Sequence, residues 1–131
     1  MKKAPHWISK KVLLLLHEES LSMFGGARGL RDEGLLDSAL GRPQNRLAYN
    51  SASTIAELAA SYAFGIAKNH AFVDGNKRAA FLSIGVFLSS NGYAFKAGQV
   101  DAIQTILALA SGSLDEPGLA VWIKANMAKI R

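Results

Sequence analysis

Cysteine is absent from the 131 residues, so the chain can form no disulfide, build no thiolate metal site and use no thiol nucleophile. Acidic residues are outnumbered, ten Asp and Glu against fifteen Lys and Arg, and the net charge of +5 suits a nucleotide, a nucleic acid or an acidic protein as partner. A solvated surface carries the same modest excess, so charge alone does not choose among these. No apolar run is long. The stretch Val12 to Leu16 has five residues, against about 20 for a bilayer-spanning helix, and Met1-Lys2-Lys3 leads into Pro5, His6 and Trp7 rather than an apolar signal core. A soluble, cytoplasmic protein without membrane contact is therefore expected. Neither a Walker phosphate loop nor a kinase glycine loop is present, so any nucleotide chemistry must use another motif. Repeats, linkers and low-complexity segments are also missing, and with half the residues apolar the length points to one domain, residues 1–131, around a single core.

The chain instead carries helical punctuation. Ser9 is placed to cap a helix running to about Met23, stopped by Gly25-Gly26, with Val12, Leu13, Leu15 and Leu16 as a wide apolar face. Gly25 to Gly34, rich in glycine and charge, reads as an exposed mobile loop. A short helix from about Leu35 to Leu40 is expected to end near Gly41 and Pro43. Ser53 or Thr54 can cap a helix from Ile55 to about Lys68, whose alanines permit close helix approach. The next helix, about Asn76 to Ser90, is apolar on nearly every side and is the expected centre of the fold. Asn91-Gly92 ends it, and Tyr93 to Lys96 is too short and isolated to be assigned as a strand. A helix from about Val100 to Ala110 precedes a last one, for which Ser113 and Glu116 have capping-box spacing and which carries Val121, Trp122, Ile123 and Met127. The fold class is all-α: a compact bundle of about six helices around a buried central helix.

Chemistry concentrates in His70-Ala-Phe-Val-Asp-Gly-Asn-Lys-Arg78. His70 titrates near neutrality when unperturbed and suits a general base. Asp74 is a hard oxygen ligand of the kind Mg²⁺ takes alongside phosphate oxygens, though the same carboxylate could cap the following helix or pair with Lys77 or Arg78. The N–H groups from Gly75 to Arg78 fall at a helix N-terminus, which attracts phosphate. Gly75 serves backbone geometry, and Asn76 either holds the loop or contacts phosphate. Lys77 and Arg78 lie at the end of the helix where its dipole disfavours cations, and a bound anion would account for them. Phe72 reads as a buried anchor, and Lys68 as a further cation near the site. His6 and His17 have no comparable neighbours and read as structural or surface residues. A two-ligand transition-metal site at His70 and Asp74 lacks a second nearby histidine or any cysteine.

The nine residues resemble the signature of the Fic/Doc superfamily, whose Fic branch reads HPFxxGNGRxxR and whose Doc (death on curing) branch reads HxFxxxNKR. The segment Gly29 to Pro43 is similar to the upstream part of Doc proteins. Lys77 stands where Fic has its second glycine and Phe81 where Fic has its final arginine, which sets the chain apart from plain nucleotidyl transfer. The resemblance implies a helical toxin of a toxin–antitoxin pair that uses ATP and Mg²⁺ to phosphorylate a protein hydroxyl, with a threonine of elongation factor Tu as expected target. In that scheme His70 is the base, Asp74 holds the metal, and Gly75, Asn76, Lys77 and Arg78 bind the phosphates. The Gly25 to Gly34 loop would receive target or nucleotide, by analogy with the Fic flap. It further implies a Phd-like antitoxin bound through a helix, with nucleic acid contacted only through that antitoxin. AMP transfer to a protein hydroxyl is the alternative enzyme reading, and a non-catalytic binding or regulatory module is the alternative outside enzymes.

Overall fold

The computed structural model describes residues 4–130; Met1, Lys2, Lys3 and Arg131 lie outside the described residues. Six helices and one small sheet follow in the order α1 (Lys10–Phe24), α2 (Glu33–Tyr49), α3 (Ile55–Asn69), α4 (Asn76–Ser90), β1 (Tyr93–Phe95), α5 (Gln99–Ser111), α6 (Glu116–Ala125) and β2 (Met127–Lys129). The all-α class holds. No helix among the described residues is long and apolar enough to cross a membrane.

Local chemistry accounts for most helix ends. The Ser9 side chain accepts from Val12 N–H to start α1, and Gly25 at φ 81 closes it. Thr54 and Glu57 form a reciprocal capping box at α3, and Asp32 caps α2 by accepting from Leu35 N–H. At α6 the cap is Asp115, which accepts from Gly118 N–H, and not Ser113, whose hydroxyl donates to the Ala108 carbonyl. Glu116 is thereby free to face α2, where Arg42 and Arg46 both bind it.

Four further expectations are corrected. The second helix does not stop at Pro43 but runs to Tyr49 with Pro43 buried inside it. Tertiary contacts outweigh the lost hydrogen bond, because Leu36, Ala39, Leu40 and Pro43 make a buried stripe and Arg46 bridges Glu57 and Glu116. The buried stripe of α1 is Leu13, His17, Ser20 and Leu21, whereas Val12 and Leu15 are exposed. Tyr93–Phe95 is a strand after all, antiparallel to β2 in the register Tyr93 to Lys129 and Phe95 to Met127, so Met127 belongs to a strand rather than to the last helix. Finally, the buried centre is α3 rather than α4. Its Ala56, Ala59, Ala60, Ala63, Gly65 and Ala67 are small enough for neighbours to approach from several sides. A β-carbon on Gly65 would lie 3.2 Å from Ala39 Cα. On α4, Phe81, Leu82 and Val86 are only half-buried.

One hydrophobic cluster connects all six helices through Leu13, Leu36, Ile66, Phe87, Leu109 and Ile123. The motif loop connects the two helices at its heart, α3 and α4, and so is held between their ends.

Candidate active site

His70 is the C-cap of α3 and adopts the left-handed conformation, φ 50 and ψ 46. No other non-glycine residue among the described ones has positive φ. Such backbone is disfavoured for a residue with a β-carbon and persists where its surroundings fix it. Here they do. The segment after α1 folds back along the motif loop as a strap: Gly29 O accepts from Val73 N–H at 3.0 Å, and Ala71 O accepts from Arg31 N–H at 2.7 Å and Asp32 N–H at 3.0 Å. Leu30 and Phe72 form an antiparallel bridge. Gly25 to Gly34 is exposed as expected, but it is docked rather than hanging free. The side chain of His70 is exposed.

Phe72 is an anchor. It is 2% exposed and stacks on the His17 ring with centroids 3.6 Å apart. Asn76 locks the loop from the other side, its Nδ2 donating to Phe72 O and its Oδ1 accepting from Phe72 N–H, both at 3.0 Å. Of the two roles open for Asn76, loop-holding is the one its side chain performs here, with the residue buried.

Gly75, at φ 77, is the N-cap of α4, and no side chain caps that helix. The N–H groups of Asn76, Lys77 and Arg78 therefore point out of the helix without helical acceptors and favour an anion. Asp74 does not cap α4 as a conventional N-cap. Its Oδ1 accepts from Gly75 N–H at 2.8 Å and its Oδ2 from Ala27 N–H at 3.1 Å. These two bonds, Ala27 first, hold the carboxyl below its ordinary range, aided by the nearby Arg78 charge and opposed by a small loss of hydration. Asp74 forms no contact ion pair among the described residues. Each carboxylate oxygen accepts one N–H, which leaves lone pairs for a cation.

The two cations behave differently. Lys77 is exposed and stands at one edge of an apolar cleft of about 640 Å³ between α1, α4 and α5. Arg78 donates to the carbonyls of Ser20 at 3.1 Å and Gly25 at 2.9 Å, and so ties the end of α1 to the start of α4. Lys68 is engaged elsewhere, with Nζ 5.9 Å from the Phe64 ring centroid and beside Gly112, the C-cap of α5.

Three residues build this site that the sequence does not connect to it: Arg31, His17, which reads only as structural or surface, and Gly26, which reads only as a helix stop. Arg31 donates to the carbonyls of His70 at 2.8 Å and Asn69 at 3.2 Å. His17 donates from Nε2 to Asp74 O at 2.7 Å. Gly26 lets the strap pass close, since a β-carbon there would lie 2.8 Å from Leu21, 3.0 Å from Asp74 Oδ2 and 3.1 Å from Arg78. For Arg31 a signal existed in its place within the Gly29 to Pro43 segment.

The family model described as the Fic/DOC family matches residues 7–88. The chain is 39% identical over 85 residues to the protein named Protein kinase doc of Escherichia phage P1, a match covering 65% of this chain and 68% of that protein. It is 43% identical over 70 residues to the protein named Toxin Doc of Mycolicibacterium smegmatis, covering 53% of this chain and 54% of that protein. The chain thus spans about two thirds of the phage relative and about half of the second. Since the family match runs from before His17, through the whole strap, to beyond Arg78, it takes in every residue that shapes the motif loop, and the chain belongs to the Fic/Doc family.

Proposed function

We propose that the chain is the toxin of a toxin–antitoxin pair and an ATP-dependent protein kinase of the Doc kind, which phosphorylates a protein hydroxyl and so halts translation; a threonine of elongation factor Tu is the expected target. The observation that carries this reading is Lys77: an exposed ammonium at the uncapped N-terminus of α4, where a glycine would give a diphosphate close access to the backbone. The names of the phage and mycobacterial relatives, a kinase and a toxin, point the same way.

His70 accepts the proton of the acceptor hydroxyl as its oxygen attacks the γ-phosphorus. A new oxygen–phosphorus bond forms, the bond to the β–γ bridging oxygen breaks, and ADP leaves. Lys77, the N–H groups of Asn76, Lys77 and Arg78, and the remaining positive field of Arg78 stabilise charge spreading over the phosphates; in phosphoryl transfer, positioning and electrostatics supply most of the catalysis. Asp74 fits Mg²⁺: it is exposed, kept ionised by its two N–H donors, and no group of three or more His, Asp or Glu gathers among the described residues, so the other ligands would be phosphate oxygens and water. When bound, the ion neutralises phosphate charge.

The apolar cleft suits a Phd-like antitoxin helix. Phe24 (72% exposed), Ile103 (54%) and Leu107 (51%) face solvent there, and disordered segments commonly fold into such grooves as amphipathic helices. Nucleic acid would be met only through that antitoxin, in the cytoplasm. Transfer of AMP through the same base is the competing reading. Expression of wild-type and His70→Ala chains tests the assignment of the base: the variant should fold, bind MgATP and leave growth unharmed, and full toxicity from a folded His70→Ala protein would sink it.

A further inference from the structure

We infer that Arg31 is a positioning residue that aims the His70 imidazole by clamping the carbonyls on which the left-handed turn is built. The inference rests on His70 acting as the base. A helix leaves its last carbonyls without partners, and at the end of α3 those of Asn69, His70 and Ala71 are all taken up by two consecutive residues of the strap. Arg31 Nε donates to His70 O at 2.8 Å and its terminal nitrogen to Asn69 O at 3.2 Å, while Arg31 N–H and Asp32 N–H converge on Ala71 O. The planar fork of a guanidinium spans two neighbouring carbonyls at once, which a lysine ammonium cannot do in a fixed geometry.

Charge favours the same placement. A cation at the C-terminus of α3 meets the negative end of the helix dipole, and no carboxylate pairs with Arg31 among the described residues. From the opposite side, Asn69 Nδ2 donates to Leu35 O at 2.9 Å, so residues 69–71 are gripped by the strap and by the start of α2. His70 is exposed and its ring makes no hydrogen bond among the described residues; the part of it that the protein fixes is the backbone from which the ring projects. Among the described residues the hydrogen bonds of Arg31 go to the carbonyls of residues 69–71 and not to Asp74 or the N-terminus of α4, which separates aiming the base from holding the phosphates.

The test compares wild type, Arg31→Ala and Arg31→Lys by kcat, by MgATP affinity and by the ¹³C shifts of His70. Arg31→Ala should lower kcat by about 10- to 100-fold, the scale of a reacting group misplaced by about an ångström, with MgATP affinity unchanged. Arg31→Lys or added guanidinium should restore part of the rate, and Arg31→Ala should cost nothing further in a His70→Ala background. The His70 shifts should report left-handed backbone in the wild type and lose that signature in Arg31→Ala. Wild-type kcat in Arg31→Ala, a fall in kcat matched by the same fall in folded fraction, or unchanged His70 shifts would each overturn the inference. Wild-type protein that transfers neither a phosphoryl group nor AMP would instead remove the base assignment, and the shifts would still decide whether Arg31 sets the His70 backbone.

Discussion

Nε2 of His17 donates to the carbonyl of Asp74 at 2.7 Å, joining the middle of α1 to the residue before the Gly75 turn across 57 positions of sequence. Because the acceptor is a carbonyl, the ring proton must sit on Nε2. The same ring stacks on Phe72 and would lie 3.3 Å from a β-carbon on Gly75, so one buried imidazole floors the motif loop from the anchor to the turn.

Replacing His17 by Ala removes the stack and strands the Asp74 carbonyl. The expected cost is about 2–3 kcal/mol, from an aromatic pair and an unpaired, part-buried acceptor together. Gln at this position keeps a donor without the stack and should cost less. Chemical denaturation of both variants measures this, and a His17→Ala protein as stable as wild type would contradict the role given to the ring.

Gly26 is the narrow point of the strap, with φ 126 and a β-carbon site 2.8 Å from Leu21 and about as close to Asp74 and Arg78. Gly26→Ala should therefore displace Ala27 from Asp74 and weaken Mg²⁺-dependent ATP binding, while the helical core survives. Calorimetric titration with MgATP, beside far-ultraviolet circular dichroism, separates the two effects. Unaltered MgATP affinity would show that the strap does not shape the site.

Asp74 is held ionised by Ala27 and Gly75, so its carboxyl titrates below its ordinary value of 3.8. With a depressed folded pKa, the contacts of Asp74 contribute fully above the unfolded value and are lost as pH falls through the folded one. Docking of the strap should accordingly be constant across the neutral range and loosen only in acid below about pH 4. Amide exchange at Ala27 reads this directly. Asp74→Asn should abolish that acid step and weaken Mg²⁺-dependent nucleotide binding; identical magnesium titrations in the variant and wild type would remove Asp74 from the metal.

What could be read from sequence follows the range of the interactions. The motif loop was legible because nine adjacent residues carry base, carboxylate, turn and cations, and because Thr54, Ser9 and Gly25 act on their own helix ends. The strap was not, since Arg31 and Ala27 meet the motif loop 39 to 47 positions away. Pro43 reads locally as a stop and is overruled by the pairing of Arg46 with Glu57 and Glu116. Strand β1 shows no partner until the chain returns at Met127. The choice of α3 over α4 as centre turned on small side chains, which apolar periodicity ranks below large ones although they are what lets helices close in. In the site, the sequence pattern named Asn76 and Arg78 but could not tell that one locks Phe72 and the other ties down the end of α1.

The position of Lys77 at the open end of α4 makes the identity of the transferred group the most direct question. Purified protein, free of antitoxin, is incubated with a cell extract and ATP labelled at either the α- or the γ-phosphate, and the modified proteins are identified by mass. Phosphoryl transfer predicts label from the γ-position only, a target heavier by one phosphate, and a large loss of that signal in Lys77→Gly. Label arriving only from the α-position would contradict kinase activity and establish AMP transfer in its place; label from neither position would leave the fold as a binding module.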